Sequence, residues 1–310
     1  MARQLRIEYP GALYHVTSRG NEKKDIFRSI KDRDKFLSYL SSAWERHSAV
    51  FHAYCLMSNH FHLMVETPLG NLSWIMKHIN GSYTTYFNVK HKRAGHLLQG
   101  RYKAVLVQAD AYAAELSRYI HLNPVRAKMV STPEEYRWSS CSRYLEGTEP
   151  SWLSTGLVLG YFGTEDEDRR RNYRDYLYDA IGKESRDPLS DSVASTILGS
   201  DDFVRDIREK YLDGKENDRE LPALRDLSRG PGVAEIKALS EEAFPENERL
   251  ARMAGIYLCW RYSGAKLKEI GALYGISESG VNRACFRFEN MMEGEKDLRE
   301  RLRRLTGKLK

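Results

Sequence analysis

The sequence has few cysteines and no long apolar run, and each absence excludes a class of protein. Cys55, Cys141, Cys259 and Cys285 are scattered and form no CxxC pair, so neither a disulfide framework nor a cysteine zinc site is expected. No apolar run approaches the roughly 18 residues of a membrane span. The N-terminal segment MARQLRIEYPGALYHV lacks the apolar core of a secretory signal. We therefore expect a cytoplasmic, soluble globular protein with unpaired thiols.

The 310 residues are enough for two or three domains, and their charge is unevenly distributed. Residues 1–146 carry 21 Lys and Arg against 12 Asp and Glu, whereas the rest of the chain carries 28 against 31. All nine histidines lie between residues 15 and 121. A basic half with interleaved aromatic residues suits a phosphate backbone, so we expect nucleic-acid binding and any chemistry in the first half.

The hydrophobic pattern of the first 146 residues predicts alternating strands and helices. Strands are predicted over 12–19, 50–57, 60–66 and 104–108, with a turn at Ser58 and Asn59. Helices are predicted over 32–48, over about 71–88, and from Asp110 as N-cap to about Asn123, where Pro124 opposes continuation. This order indicates an α+β, ferredoxin-like split βαβ plan: an antiparallel sheet with helices on one face and the other face free for a ligand.

The character of the chain changes after about residue 146. Turn-rich and charge-rich stretches over 147–246 predict a helical middle region and linker, to which no function is assigned. In the last part, LKEIGALYGISESGVNRACFRFENMM predicts a helix, a tight turn and a second helix. There Ala272 allows close helix approach, Gly275 lies at the turn and Ser277 caps the second helix. The predicted domains are 1–146, 147–246 and 247–310.

The segment His60-Phe61-His62 is the sharpest chemical motif. Because alternate side chains of a strand share a face, His60 and His62 should converge while Phe61 points into the core. Two imidazoles can hold a divalent metal with positions left open for water or a substrate oxygen. Histidines at this spacing also occur where they only form hydrogen bonds on a half-buried strand, so the pair alone does not identify a metal site.

A second cluster lies in ELSRYIHLNP, within the third predicted helix. Tyr119 and Asn123 are four residues apart and therefore share a helix face. The amide oxygen of Asn123 is suited to be a third metal ligand, with Tyr119 as a nucleophile one turn away. A phenol has a pKa near 10 and needs a nearby cation to react at neutral pH. The alternative for Tyr119 is an ordinary half-exposed helix tyrosine.

Together these motifs resemble a known family. HFH on the third strand, followed by YIHLNPVRA, is similar to the HUH single-tyrosine transposases, and most closely to the REP-associated tyrosine transposases. YHVTSRGN, MSNHFHLMVE and QGRYKAVLV fit the same family. The resemblance therefore spans nearly all of residues 5–145.

The resemblance implies a nuclease that binds DNA hairpins and uses Mg²⁺ or Mn²⁺. It implies that a tyrosine attacks the scissile phosphate, giving a 5′-phosphotyrosyl enzyme and a free 3′-OH that can reverse the step. His60 and His62 match the HUH pair, Tyr119 matches the nucleophile, and Asn123 matches the polar ligand. His121 stands where many relatives have an acidic residue. Lying two residues from Tyr119 on a helix, it is expected to face elsewhere.

Candidate DNA contacts fall into two groups. The first provides phosphate contacts, with Tyr102 as a base-stacking platform; its basic members are Arg19, Lys23, Lys24, Lys92, Arg93, Arg101, Lys103 and Arg126. The second lies in the C-terminal segment, which resembles the helix-turn-helix of replication-initiator DNA-binding domains. That resemblance implies that Ser277, Ser279, Asn282 and Arg283 reach base edges in a major groove. An ordinary helical hairpin is the alternative.

We therefore predict a metal-dependent single-strand DNA endonuclease and transposase, acting near hairpins as a monomer or homodimer. Two other hypotheses are open. A non-catalytic, domesticated DNA-binding regulator would retain the fold and use the C-terminal helices. A hydrolytic metalloenzyme with small substrates would use the two histidines but give the basic half no role.

Overall fold

The computed structural model describes residues 6–183, 187–193, 196–211, 232–263, 265–294 and 296–308. Backbone contacts divide the chain into two compact units, one ending at Val204 and the other beginning at Arg205. The first unit thus contains the residues of the predicted nuclease domain and the first part of the predicted middle region. Each unit has its own hydrophobic core.

The first unit is built on a five-stranded sheet with the order β2-β3-β1-β4-β5. The strands are β1 (Ala12–Arg19), β2 (Val50–Leu56), β3 (His60–Thr67), β4 (Lys103–Val107) and β5 (Ile197–Leu198). Strands β1 to β4 pair antiparallel with their neighbours, and β5 pairs parallel to β4. The predicted ferredoxin-like α+β plan is confirmed. Strand β5 was not predicted, because two residues are too few for a readable alternation.

Helices cover both faces of this sheet. On one face lie α1 (Ile30–His47) and α2 (Leu72–Lys90), the two helices of the split βαβ plan. Phe36 of α1 packs on Phe61 of β3, with ring centroids 4.7 Å apart. The other face, expected to be free for a ligand, instead carries α3 (Ala109–Arg126), whose Leu116 shares a core with Met64 of β3. The catalytic candidates of α3 are thereby brought onto the sheet.

Helix α3 differs from its prediction at both ends. It begins after Gln108, so Asp110 lies in the first turn and is not the N-cap. A carboxylate there still favours the helix through its dipole. Pro124 lies inside the last turn, and the helix continues because the Ala127 amide bonds to the Asn123 carbonyl. Proline removes only its own amide donor, which a final turn tolerates better than a helix centre.

Three further helices pack behind α3: α4 (Cys141–Glu146), α5 (Gly156–Leu159) and α6 (Asp166–Tyr178). A buried polar network around His121, which is 0% exposed, joins α3 to α6 and to the start of α4. Its Nδ1 lies 2.7 Å from the Tyr173 hydroxyl and its Nε2 lies 2.7 Å from the Ser140 hydroxyl. Both ring nitrogens are used in this core, so His121 faces away from the histidine pair as expected.

The second unit is helical where it is described. After α7 (Asp201–Tyr211), which spans the boundary, come α8 (Val233–Ala243), α9 (Glu248–Tyr262), α10 (Leu267–Tyr274), α11 (Glu278–Gly294) and α12 (Lys296–Lys308). Ile236, Ala254, Ile270, Phe288 and Leu302 share its core. None of the described helices is long and apolar enough to cross a membrane. All four cysteines of the chain are buried and unpaired, as predicted.

Candidate active site

The two histidines of the HFH motif lie at the start of β3. Their ring centroids are 5.0 Å apart, while Phe61 is fully buried on the other face of the sheet. The rings converge as the strand alternation predicted. His60 is half-buried and His62 is 6% exposed, so the pair is reached from the strand end that bears His60.

Asn59 orients the His60 ring. Its Nδ2 donates to the Lys23 backbone oxygen at 2.9 Å, which turns its Oδ1 towards His60. His60 Nδ1 lies 2.7 Å from that oxygen and donates to it. A neutral imidazole carries one N–H, so this bond leaves the lone pair on Nε2. The ring is therefore held with its Nε2 lone pair free of this hydrogen bond.

His15 of β1 orients His62, and it is a site residue that the sequence did not indicate. His15 Nε2 lies 2.9 Å from His62 Nδ1, and the rings are stacked with centroids 5.1 Å apart. When His62 Nδ1 donates to His15, the His62 lone pair is on Nε2. The only signal in the sequence is a polar residue within the apolar run ALYHV. The side chain that His15 contacts is set by the pairing of β1 with β3, which the sequence does not give.

Both candidate ligands are neutral at physiological pH. Burial, followed by the charge of Arg19, lowers the pKa of His60 to about 4. Burial, with neighbouring His15 and His60, holds the pKa of His62 well below its ordinary value. Burial also lowers the pKa of His15 to about 4. Metals bind neutral imidazole, so no proton has to be displaced from these rings at neutral pH.

Tyr119 projects from α3 against the histidines. Its ring centroid lies 5.7 Å from that of His62 and 6.1 Å from that of His15, both edge to face. The Arg126 guanidinium lies 5.1 Å from the Tyr119 ring centroid. Burial raises the pKa of Tyr119, Asp187 adds to the rise, and Arg126 opposes it. The phenol is therefore protonated at neutral pH, and further positive charge here would favour the phenolate.

Asn123 lies one helical turn beyond Tyr119. Its Nδ2 donates to the Tyr119 backbone oxygen at 2.8 Å, so Oδ1 is the end of the amide that can coordinate a cation. Two imidazole nitrogens and an amide oxygen are a donor set that fits a divalent cation with open positions. Within the described part of the chain, no three His, Cys, Asp or Glu side chains converge as metal ligands. The amide oxygen of Asn123 is the third ligand that the sequence predicted.

Basic side chains surround the strand end that bears His60. Arg19 is exposed and pairs with His60 across β1 and β3. Backbone hydrogen bonds join Gly20 to Asn59 and Gln99 to Arg19, so the loops after β1 and before β4 meet here. The exposed cations of these loops and of the β4 start are Lys23, Lys24, Lys92, Arg101 and Lys103. The predicted phosphate contacts thus belong to loops that meet at the strand end bearing His60.

Three other predicted DNA contacts of the first unit, Arg93, Arg126 and Tyr102, differ in how exposed they are and in the side chains that they contact. Arg93 is half-buried, with its guanidinium 5.9 Å from the Phe87 ring centroid. Arg126 is exposed above Tyr119. Tyr102 is only 7% exposed, and Arg6 covers its ring at 4.1 Å from the centroid. The expectation that Tyr102 offers an open stacking platform is wrong, because the Tyr102 side chain is buried.

In the second unit, α10 and α11 form the predicted helix, tight turn and helix. Gly275 adopts a left-handed φ of 65° at the turn, and the Ser277 hydroxyl accepts from the Gly280 amide at 3.2 Å. The close approach involves Gly271 and not Ala272, which is exposed. A Cβ on Gly271 would lie 2.5 Å from the Ile276 carbonyl oxygen, so the turn requires glycine there.

The predicted base-reading residues lie on the exposed side of this helix pair. Ser277, Ser279, Asn282 and Arg283 are all exposed. Arg283 Nε donates to the Ser279 backbone oxygen at 3.2 Å, which keeps its side chain along the N-terminal half of α11. Phe286, one turn further, is 65% exposed on the same face.

Comparison with known proteins gives one family match. Residues 9–123 match the model described as "Transposase IS200 like", which confirms the predicted family resemblance for that region. A solved structure of a REP-associated tyrosine transposase bound to a REP hairpin is 15% identical. That likeness covers 50% of this chain and 92% of the other, with a TM-score of 0.43. No curated protein matches the sequence.

Proposed function

We propose that the protein cleaves and rejoins single-stranded DNA near hairpins, and the match of residues 9–123 to the model described as "Transposase IS200 like" supports this proposal. The observation that carries the proposal is Tyr119, whose ring lies 5.7 Å from that of His62 beside the HFH pair. A nucleophile, two neutral imidazoles and an adjoining set of exposed cations are the parts that a phosphodiester transfer requires. The DNA is held by the basic loops on either side of the strand end bearing His60.

Tyr119 is the nucleophile. Its Oη gives up a proton to solvent and forms a bond to the scissile phosphorus. The bond from phosphorus to the 3′ oxygen breaks, and that oxygen takes up a proton as the free 3′-OH. The DNA 5′ end remains on the enzyme as a phosphotyrosine, a diester of similar energy to the one broken. A 3′-OH can therefore attack it, restore the DNA strand and return the phenol.

His60, His62 and Asn123 hold Mg²⁺ or Mn²⁺ in this proposal, through the two Nε2 atoms and the amide oxygen. When bound, such a cation neutralises charge on the phosphate under attack and favours the phenolate. Asn59 and His15 keep the two rings in the tautomer that presents Nε2. Arg126 contributes positive charge beside Tyr119, which favours the ionised phenol and a bound phosphate.

The second unit supplies a separate DNA contact. The exposed face of α11 with Asn282 and Arg283 supports insertion into a major groove of duplex DNA next to the hairpin. Arg and Asn are side chains that discriminate guanine and adenine edges. Such a contact would direct the nuclease to particular sites without taking part in the chemistry.

The test is a covalent adduct. Purified protein is incubated with labelled single-stranded hairpin oligonucleotides from the repeats flanking its own gene, with Mg²⁺ or Mn²⁺, and run on a denaturing protein gel. Label should migrate with the wild type and with Tyr112→Phe, a tyrosine on the same helix, but not with Tyr119→Phe. Hairpin binding without an adduct, under every metal and substrate tried, would instead support the DNA-binding regulator.

A further inference from the structure

The outer surface of α1 and α2 bears an open groove of about 960 Å³, here called the α1–α2 groove. These helices pack on the sheet face that carries Phe61, whereas His62 and Tyr119 lie on the opposite face. The groove is therefore separate from the candidate active site. None of the DNA contacts predicted from the sequence lines it.

Three aromatic side chains line the α1–α2 groove, and each has a lysine over its ring. Trp74 is 63% exposed, which is unusual for the largest apolar side chain. The ammonium-to-centroid distances are 5.2 Å for Lys77 and Trp74, 5.0 Å for Lys35 and Tyr39, and 5.5 Å for Lys90 and Tyr86. Ring faces beside cations form a surface suited to bases joined by phosphates.

The charge of the α1–α2 groove is of one sign. Among the described residues, no Asp or Glu side chain lines it. Asp32 is buried beneath it and pairs with Lys90 at 2.6 Å, so Lys90 adds little free charge. Lys77 on α2 and Arg46 at the end of α1 are exposed. The groove is thus complementary to an anion rather than to another basic surface.

Gly81 lies in the middle of α2, where it is exposed and lines the α1–α2 groove. Glycine destabilises a helix interior relative to alanine, so its presence needs a reason. Packing does not supply one, because a Cβ on Gly81 would meet no described atom within 4 Å. Glycine does leave the groove open and lets a ligand approach the helix backbone.

We propose that the α1–α2 groove binds unpaired nucleotides of the DNA on which the protein acts, with bases stacked on Trp74 and Tyr39 and phosphates beside Lys77. The proposal rests on the proposed function only in taking DNA as the ligand. Stacking tolerates any base because every base has a π face, so this contact would hold a strand without selecting its sequence. A second copy of the chain is the weaker occupant, because its own groove would bring like charges together.

The experiment measures binding of a fluorescent oligothymidylate, which forms no hairpin, by anisotropy at low salt. Trp74→Ala should weaken binding by about tenfold or more, the usual effect of removing one stacking residue. Gly81→Leu should weaken it similarly by filling the groove, and should not lower the melting temperature. Trp44→Ala is the matched control, since Trp44 is a 37% exposed tryptophan of α1 outside the groove lining. It should bind as the wild type does.

Photocrosslinking with 5-iodouracil in the same oligonucleotide locates the contact, and mass spectrometry should find the adduct on Trp74 or Tyr39. Wild-type affinity in both groove variants, or crosslinks confined to other segments, would overturn the proposal. Loss of self-association in Trp74→Ala with unchanged oligonucleotide affinity would make the groove a protein interface, which also overturns it. Phosphotyrosine formation at Tyr119 is scored separately, so either proposal can fail while the other stands.

Discussion

His15 Nε2 lies 2.9 Å from His62 Nδ1, with the two rings stacked and both side chains buried. A histidine here takes the position that a carboxylate or carbonyl usually occupies behind a metal-binding histidine. In the proposed metal site, His15 orients the His62 ring and accepts the proton on His62 Nδ1. Neutral His15 does this without adding a negative charge to the site.

We expect His15→Leu to weaken Mn²⁺ binding by roughly 10–100-fold, because the His62 ring loses its acceptor. Electron paramagnetic resonance titration of Mn²⁺ measures this without relying on activity. His15→Gln, whose amide oxygen can accept from His62 Nδ1, should recover part of the affinity. Hairpin binding should stay unchanged in both variants. Equal Mn²⁺ affinity in His15→Leu and the wild type would remove the positioning role.

His60→Ala should abolish the covalent adduct while sparing hairpin affinity, since His60 is assigned to the metal and not to the DNA backbone. Adduct yield and hairpin dissociation constant are measured on the same preparation. His96→Ala removes an exposed histidine of the loop before β4 and serves as control. Full adduct formation by His60→Ala would be incompatible with the metal assignment.

His121 should make the first unit sensitive to acid. Burial lowers the pKa of His121 to about 3, whereas an unfolded histidine titrates near 6.5. Between these values the unfolded state binds more protons, so stability is full above pH 6.5 and falls as the pH drops towards 3. The loss is up to ~1.4 kcal/mol per pH unit in this window.

Urea unfolding of the wild type and His121→Gln, at several pH values between 6.5 and 3, tests whether stability falls on acidification because of His121. The variant should be less stable at neutral pH, because the bonds to Tyr173 and Ser140 are altered, and its stability should fall less steeply on acidification. The exposed His96→Gln should keep the wild-type slope. Parallel curves for His121→Gln and the wild type would count against a buried neutral His121.

Arg283→Gln should weaken binding to duplex DNA by about 1–3 kcal/mol and relax the base preference at one position, because the proposed contact of Arg283 is with a base edge. Arg299→Gln, an exposed arginine of α12, is the matched control. Fluorescence anisotropy with duplexes that differ at single base pairs measures the affinity and the base preference of both variants. Adduct formation on hairpin substrates should be unchanged, and a nuclease-dead Arg283→Gln would show that the second unit takes part in the chemistry.

Local patterns predicted much of the framework of the first unit. Strand alternation placed His60 and His62 on one face and Phe61 on the other, since successive side chains of a strand must alternate. Helix spacing placed Tyr119 and Asn123 together. The ends of α3 were less predictable, because one backbone hydrogen bond beyond Pro124 decides whether the last turn continues.

Contacts between distant segments could not be read from the sequence. Strand β5 is a strand because it pairs with β4. Position 271 requires glycine because the Ile276 carbonyl oxygen lies where a Cβ would be placed. Tyr102 looked suitable for stacking as an aromatic among cations, yet Arg6 covers it. The exposure of an aromatic ring is decided by the side chains that pack on it in the folded protein, and the residue type alone does not predict it.

By itself the sequence determined the chemistry available to this protein: two imidazoles on one strand face, a tyrosine and an amide on one helix face, and a basic first half. The periodicities of strand and helix fix those relationships within a few residues. Only the tertiary structure decided that α3 lies across the sheet with Tyr119 at the histidines, that His15 stands behind His62, and that Trp74 remains exposed. These depend on strand register and on which faces pack together, which the whole chain sets at once.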